Sequence, residues 1–164
     1  MSAYDVVCQG YADGDYPETW PVERPTVLLA SDATQRFRLN TSEGAAEWSA
    51  IVPGDGLVRL GPSWEPYTIS MLHQLRCLAI LRRDVVREGA ASGGPTALGR
   101  HCLNYLKQMV LCRGDIKVES MRYKTHKDPI DLLGIYECRD WGAVYDAVRE
   151  NQQAYKSSQT SSQL

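Results

Sequence analysis

Met71-Leu72-His73-Gln74-Leu75-Arg76-Cys77-Leu78 and Leu98-Gly99-Arg100-His101-Cys102-Leu103-Asn104-Tyr105-Leu106 are the two stretches on which the reading of this chain turns. Each carries a histidine and a cysteine, and each sits in a run whose apolar residues recur at helical spacing. The first run predicts a helix from Thr68 to Arg87. Leu72, Leu75, Ala79 and Val86 form its stripe, widened by Met71, Leu78, Leu81 and Val85, while His73, Cys77 and Ile80 share the adjoining face. The second run opens at Pro95-Thr96 and extends to about Cys112, with Leu98, Cys102, Tyr105 and Met109 on one stripe and Arg113-Gly114 as its stop. Two such helices bury their stripes against each other. Packed antiparallel, they would set His73 to face His101 and bring Cys77 near Cys102.

The rest of the chain supplies shorter pieces. Residues 1–25, rich in Tyr, Asp, Gly and Pro, read as an extended N-terminal arm. A single domain is expected over 26–156, and the Ser/Gln-rich tail 157–164 is expected to be disordered. Thr26 to Ala30 suits a strand, and Phe37-Arg38-Leu39 reads as extended too. Ser42 to Ile51 predicts a short helix ended by Pro53, and Pro53-Gly54-Asp55-Gly56 a turn. Leu57 to Leu60 alternates as a half-buried strand does. Residues 115–137 read as irregular or weakly extended, and Asp140 caps a last helix with Trp141, Val144, Tyr145 and Val148 on one face. The fold class expected is therefore α+β and mainly helical: two long packed helices with the His/Cys motifs, a third helix at the C-terminal end and a few short N-terminal strands.

Composition narrows the functions. At 164 residues the chain can bury a core without metal or disulfide support. A net charge of −2 and the lack of a basic cluster argue against nucleic acid as a partner. No apolar run is long enough to span a membrane. The start of the chain is polar, which leaves two compartments open: cytoplasmic, or lumenal with an anchor outside this sequence. One Phe against nine Tyr and four Trp favours pocket walls with polar handles. The expected partner is a small-molecule substrate, and a homodimer is compatible with this size. Nucleotide loops, the GxSxG elbow and HExxH are all absent from the sequence.

The chemistry-bearing residues each have a plainer alternative. His73 and Cys77, four apart, lie one above the other on a helix, a spacing that suits copper or zinc and equally suits core packing. His101 and Cys102 are neighbours, so their side chains diverge by about 100° and do not readily share an ion. Arg76 could bind a carboxylate or enolate oxygen of a substrate, or pair with Asp115 or Glu119. Asp115 and Glu119 could act as an acid/base pair or simply be solvated, and His126 reads as surface. Five cysteines without a CxxC pair exclude zinc-ribbon and thioredoxin readings. In an oxidising compartment Cys112 and Cys138, with 25 residues between them, would form a disulfide. Cys77 with Cys102 is the alternative or additional pair, leaving Cys8 as the free thiol.

In order, these pieces resemble the UstYa-like family of fungal secondary-metabolite biosynthesis proteins, from about Tyr16 to Asn151. The stretches that carry the resemblance are Gly44-Ala45-Ala46-Glu47-Trp48, Pro53-Gly54-Asp55-Gly56, the two His/Cys motifs, Leu111-Cys112-Arg113-Gly114-Asp115 and Cys138-Arg139-Asp140-Trp141. The resemblance implies a tailoring enzyme that oxidises or cyclises a small metabolite, with copper as the suspected metal in some members. The family's HxxHC signature is degenerate here: Arg76 stands at the second histidine position of the first motif and Leu98 at the first of the second. His73 and His101 remain as the expected catalytic pair and metal ligands, with Cys77 a third candidate ligand. Arg76 is the expected electrostatic partner and Tyr105 a wall or acid. Without a metal, two imidazoles and a guanidinium still suit cyclisation, isomerisation or dehydration by proton transfer. A non-catalytic accessory or substrate-binding protein is the alternative from a different class.

Overall fold

The computed structural model describes residues 16–31, 34–88, 94–119 and 134–161. Its elements are β1 (Thr26–Ser31), α1 (Ser42–Ala50), β2 (Val58–Leu60), β3 (Glu65–Tyr67), α2 (Ser70–Glu88), α3 (Ala97–Arg113), β4 (Gly134–Arg139) and α4 (Trp141–Ser161). This is the mainly helical α+β chain expected. No described helix is long and apolar enough to cross a membrane. The expectations for Cys8, His126 and the last residues of the tail fall outside the described residues.

The chain divides into two compact units, and α2 runs through the boundary between His73 and Gln74. The first unit gathers the N-terminal segment up to Pro25, Val52–His73, and Arg139 onward. Its residues 16–25 carry no helix or strand. Here β2 and β3 form an antiparallel hairpin in the register Val58↔Tyr67, Arg59↔Pro66 and Leu60↔Glu65, and α4 packs on β2. Val58, Leu60, Leu72, Val144 and Val148 are its buried apolar residues. Asp140 begins α4 as expected, its carboxylate accepting the Gly142 N–H at 2.8 Å.

The side chain of Asn151 completes the hairpin. Its Oδ1 accepts the Arg59 N–H at 2.7 Å and its Nδ2 donates to the Arg59 carbonyl at 2.8 Å, as a neighbouring strand would. The next residue does the same for the turn: Gln152 Nε2 donates to the carbonyls of Pro53 and Leu57 at 3.1 and 3.0 Å. Gly54, at φ 55°, lies so close to Gln152 that a Cβ would fall 2.4 Å from the amide oxygen. Arg59 lies 4.1 Å over the Tyr155 ring and donates to Asp55 at 2.8 Å. Burial alone would raise the Asp55 carboxyl, but the Arg59 guanidinium and the Leu57 N–H outweigh it and hold the group below its ordinary range.

The second unit comprises Thr26–Ile51 and Gln74–Cys138. β1 and β4 pair in a two-stranded sheet. Thr41 caps α1 by accepting the Gly44 N–H. The extended reading of Phe37–Leu39 does not hold: Phe37 is left-handed at φ 57°. The cause lies in α1. Glu47 accepts the Phe37 N–H at 2.5 Å, and Trp48 Nε1 donates to the Phe37 carbonyl at 2.9 Å, so both main-chain groups are captured from one side. Gly44 makes room, since a Cβ there would sit 2.2 Å from the Arg38 carbonyl oxygen. The Gly44–Trp48 stretch is thus a device for holding a turn.

The expected disordered tail begins inside a helix, because α4 continues to Ser161. Hydroxyls of Ser157, Ser158, Thr160 and Ser161 donate to carbonyls three or four residues earlier, which keeps these polar side chains compatible with the helix. β3 is a strand that periodicity does not reveal, because Glu65 and Pro66 are both exposed and poor strand formers.

Candidate functional site

His73 sits half-buried in the first turn of α2, its N–H donating to the Ile69 carbonyl at 3.0 Å. One helical turn further along the same face come Cys77, then Ile80 and Asp84, and all three are buried. This is the face adjoining the expected stripe. Leu78 and Val85, counted with the stripe, are exposed, so the buried face of α2 is rotated from the expected one. Asp84 explains the rotation. Its Oδ2 accepts both the N–H and the hydroxyl of Thr96, at 2.9 and 2.8 Å, and Thr96 itself caps α3 through the Gly99 N–H at 2.9 Å. A carboxylate on the interior face of α2 is satisfied there because the start of α3 supplies donors. The hydrogen bonds from Thr96 hold the Asp84 carboxyl below its ordinary range.

α3 meets that face with small residues. Gly99 and Cys102 are buried, and a Cβ on Gly99 would fall 2.0 Å from Asp84 Oδ2. Cys77 and Cys102, each 1% exposed, share a cluster with Ile80, and Leu81, Tyr105 and Leu106 pack against it. Asp84 late in α2 touches the first turn of α3, and Cys77 two turns earlier touches Cys102 further along. The helices therefore run antiparallel in this unit, as the stripes predict. Gly114, left-handed at φ 53°, ends α3 with its N–H on the Val110 carbonyl.

Of the expected site residues, the second unit brings Cys77 together with the Tyr105 ring around Cys102. His101 is on the exposed side of α3, and Arg76 on the exposed side of α2. His73 closes the first unit, whereas His101 belongs to the second. Leu98, at the position of a family histidine, is exposed rather than on the packed stripe. Asp115 and Glu119 are each engaged locally: Asp115 accepts the Lys117 N–H, and Glu119 accepts the Tyr136 hydroxyl at 2.9 Å. Lys117 lies 3.6 Å over the Tyr136 ring and donates to the Ile135 carbonyl, tying the segment after α3 to β4. The four described cysteines are free thiols, so Cys112 and Cys138 carry no bridge between them.

The donor set can be weighed against the copper that the resemblance implies. Burial first, and then the hydrogen bond and proximity of Cys102, push the Cys77 thiol up to about 12. A metal ligand must be the thiolate, so this sulfur is poorly prepared to coordinate. Among the described residues no three His, Cys, Asp or Glu side chains gather as a metal-binding group. These residues do not fit a centre of three or more side-chain ligands, and no chemical step is routed through one.

A model of the family described as mycotoxin biosynthesis protein UstYa matches residues 17–151. The chain is similar to UstYa family oxidase phomYe of Diaporthe leptostromiformis, 28% identical over 99 residues, or 55% of this chain and 35% of that protein. It is similar to UstYa family oxidase phomYd of the same organism, 34% identical over 88 residues, covering 50% of this chain and 29% of that one. A third relative is hydroxylase cctR of Talaromyces islandicus, 24% identical over 145 residues, covering 74% of this chain and 54% of the relative. The chain spans about half the length of these relatives or less. No solved structure matches it.

Proposed function

The chain belongs to the UstYa family of mycotoxin biosynthesis proteins, and from that premise we propose that it is an oxidising tailoring enzyme of fungal secondary metabolism, working on a small metabolite with His73 and His101. The observation that carries this reading is the family match over residues 17–151 together with relatives named oxidase and hydroxylase. The residue roles follow from chemistry. An imidazole ring can both accept and donate a proton, so His73 and His101 are the groups suited to take a proton from the substrate and return it. Arg76 offers a fork of donors to a carboxylate or enolate oxygen. Tyr105, half-buried beside the thiol pair, supplies a flat wall with a hydroxyl at its tip. Oxidation also needs an electron acceptor. Copper would supply one when bound, with His73 or His101 as an imidazole donor.

The second reading is metal-free proton transfer, giving cyclisation, isomerisation or dehydration. One observation favours it: Arg76 and Leu98 occupy histidine positions of the family motif. The deciding experiment is product formation by purified protein after copper loading and after exhaustive chelation. Activity that depends on copper supports the oxidase; full activity after chelation leaves the proton-transfer enzyme. In either case His73→Ala and His101→Ala should each lower turnover by about 100-fold or more, a loss expected of acid/base groups, with the circular dichroism spectrum unchanged. Activity that survives both substitutions removes the histidine site.

A further inference from the structure

Neither the proposed chemistry nor the packing of α2 on α3 needs two cysteines in one buried cluster, yet Cys77 and Cys102 are placed so. Both are 1% exposed, they lie on different helices, and they share one buried cluster with Ile80. The register that aligns them is fixed independently, two turns away, by Asp84 on Thr96. The close approach of the helices is made possible by Gly99, one turn before Cys102, where any Cβ would meet Asp84. A disulfide requires Cα atoms within about 7 Å of each other, closer than large side chains at a helix contact allow, and here the contact is made by Gly and Cys.

We propose that Cys77 and Cys102 are a redox pair that closes to a buried disulfide joining α2 to α3 when the chain folds in an oxidising compartment. This inference does not rest on the proposed chemistry. The step needs a disulfide oxidant such as oxidised glutathione. One cysteine thiolate attacks a glutathione sulfur and expels one glutathione thiolate. The second cysteine thiolate then attacks the protein sulfur of the mixed disulfide and expels the other. Two S–H bonds are lost and one S–S bond is gained, and the two released glutathione thiolates take up the two protons. Once α2 and α3 have docked, both sulfurs are out of reach of the oxidant. The bond therefore forms during docking and is afterwards protected from reduction.

The test is a disulfide map of the full chain refolded from denaturant with oxidised glutathione, then unfolded without reductant, alkylated and digested with trypsin. The expected product is one linked species made of the peptides Cys77–Arg82 and His101–Lys107, lighter by two hydrogens than the sum of its parts and separated by reductant. Cys112→Ser should leave it in place, and Cys102→Ser should abolish it. The native, already folded reduced protein should give the same species far more slowly than the refolding chain. Full alkylation of Cys77 and Cys102 after oxidative refolding would overturn the proposal, as would a map in which Cys112 is linked to Cys138 and the other two are alkylated. The wild-type map decides the matter even if Cys102→Ser does not fold.

Discussion

In the first unit the amide of Asn151 reaches back across 92 residues to both main-chain groups of Arg59, whereas in the second the Asp84 carboxylate reaches only 12 residues ahead to Thr96. Both are polar side chains used to complete another element's backbone or cap. They differ in what must already be in place. The β2–β3 hairpin gains its edge partner only after α4 has formed and docked. The α2–α3 pair is assembled from consecutive helices, and its polar lock closes as they fold together. One unit thus hangs on a contact distant in sequence, and the helical pair of the other on a near one, which predicts different sensitivities to single changes.

Asn151→Leu should have the largest effect. It leaves an N–H and a carbonyl of Arg59 without partners beside the buried Val58 and Leu60, at a cost of about 3 kcal/mol for two unsatisfied groups. Urea denaturation measures it, and a loss no larger than that of a surface substitution would erase the contrast between the units. Gly99→Ala should come next. Asp84 cannot swing away from the new methyl without releasing Thr96, so overpacking of about 2 kcal/mol is expected. Pairing it with Asp84→Ala in a double-mutant cycle should recover much of the loss; strict additivity would show that the two residues are not in conflict.

The smallest effect concerns pH. The Asp84 carboxyl is held below its ordinary range by Thr96, so ionised Asp84 favours the folded state. Its contribution is complete above the carboxylate range of the unfolded chain and is lost as pH falls through the lowered value of the folded one. The stability difference between the wild type and Asp84→Asn should therefore shrink on acidification. A difference that stays flat from neutral pH down to the acid transition would show that the carboxylate's charge plays no part in the cap.

The sequence makes the local signals readable and hides the distant ones. Thr96 and Gly114 announce the ends of α3, and Asp140 the start of α4, because capping depends on neighbouring residues alone. The antiparallel helix pair and the contact of Cys77 with Cys102 also follow from the two motifs. Counting apolar side chains nevertheless turns α2 the wrong way. Asp84 counts as polar and Cys77 as minor, yet both go inside because of what α3 presents to them. Phe37 is misread for a related reason: its conformation is imposed by Glu47 and Trp48, which lie outside any local window. The polar work of Asn151 and Gln152 has no signature in the sequence, since an amide on a helix face looks like solvent-facing surface. Family resemblance points to His73 and His101, but their chemistry depends on ligands and substrate that neither spacing nor periodicity encodes.

The grip of Asp84 on Thr96 has a consequence for how this chain can change. It decides which turn of α2 meets which turn of α3. Substitutions on the exposed side of either helix can therefore accumulate without shifting the pair, so long as Asp84 and Thr96 are kept.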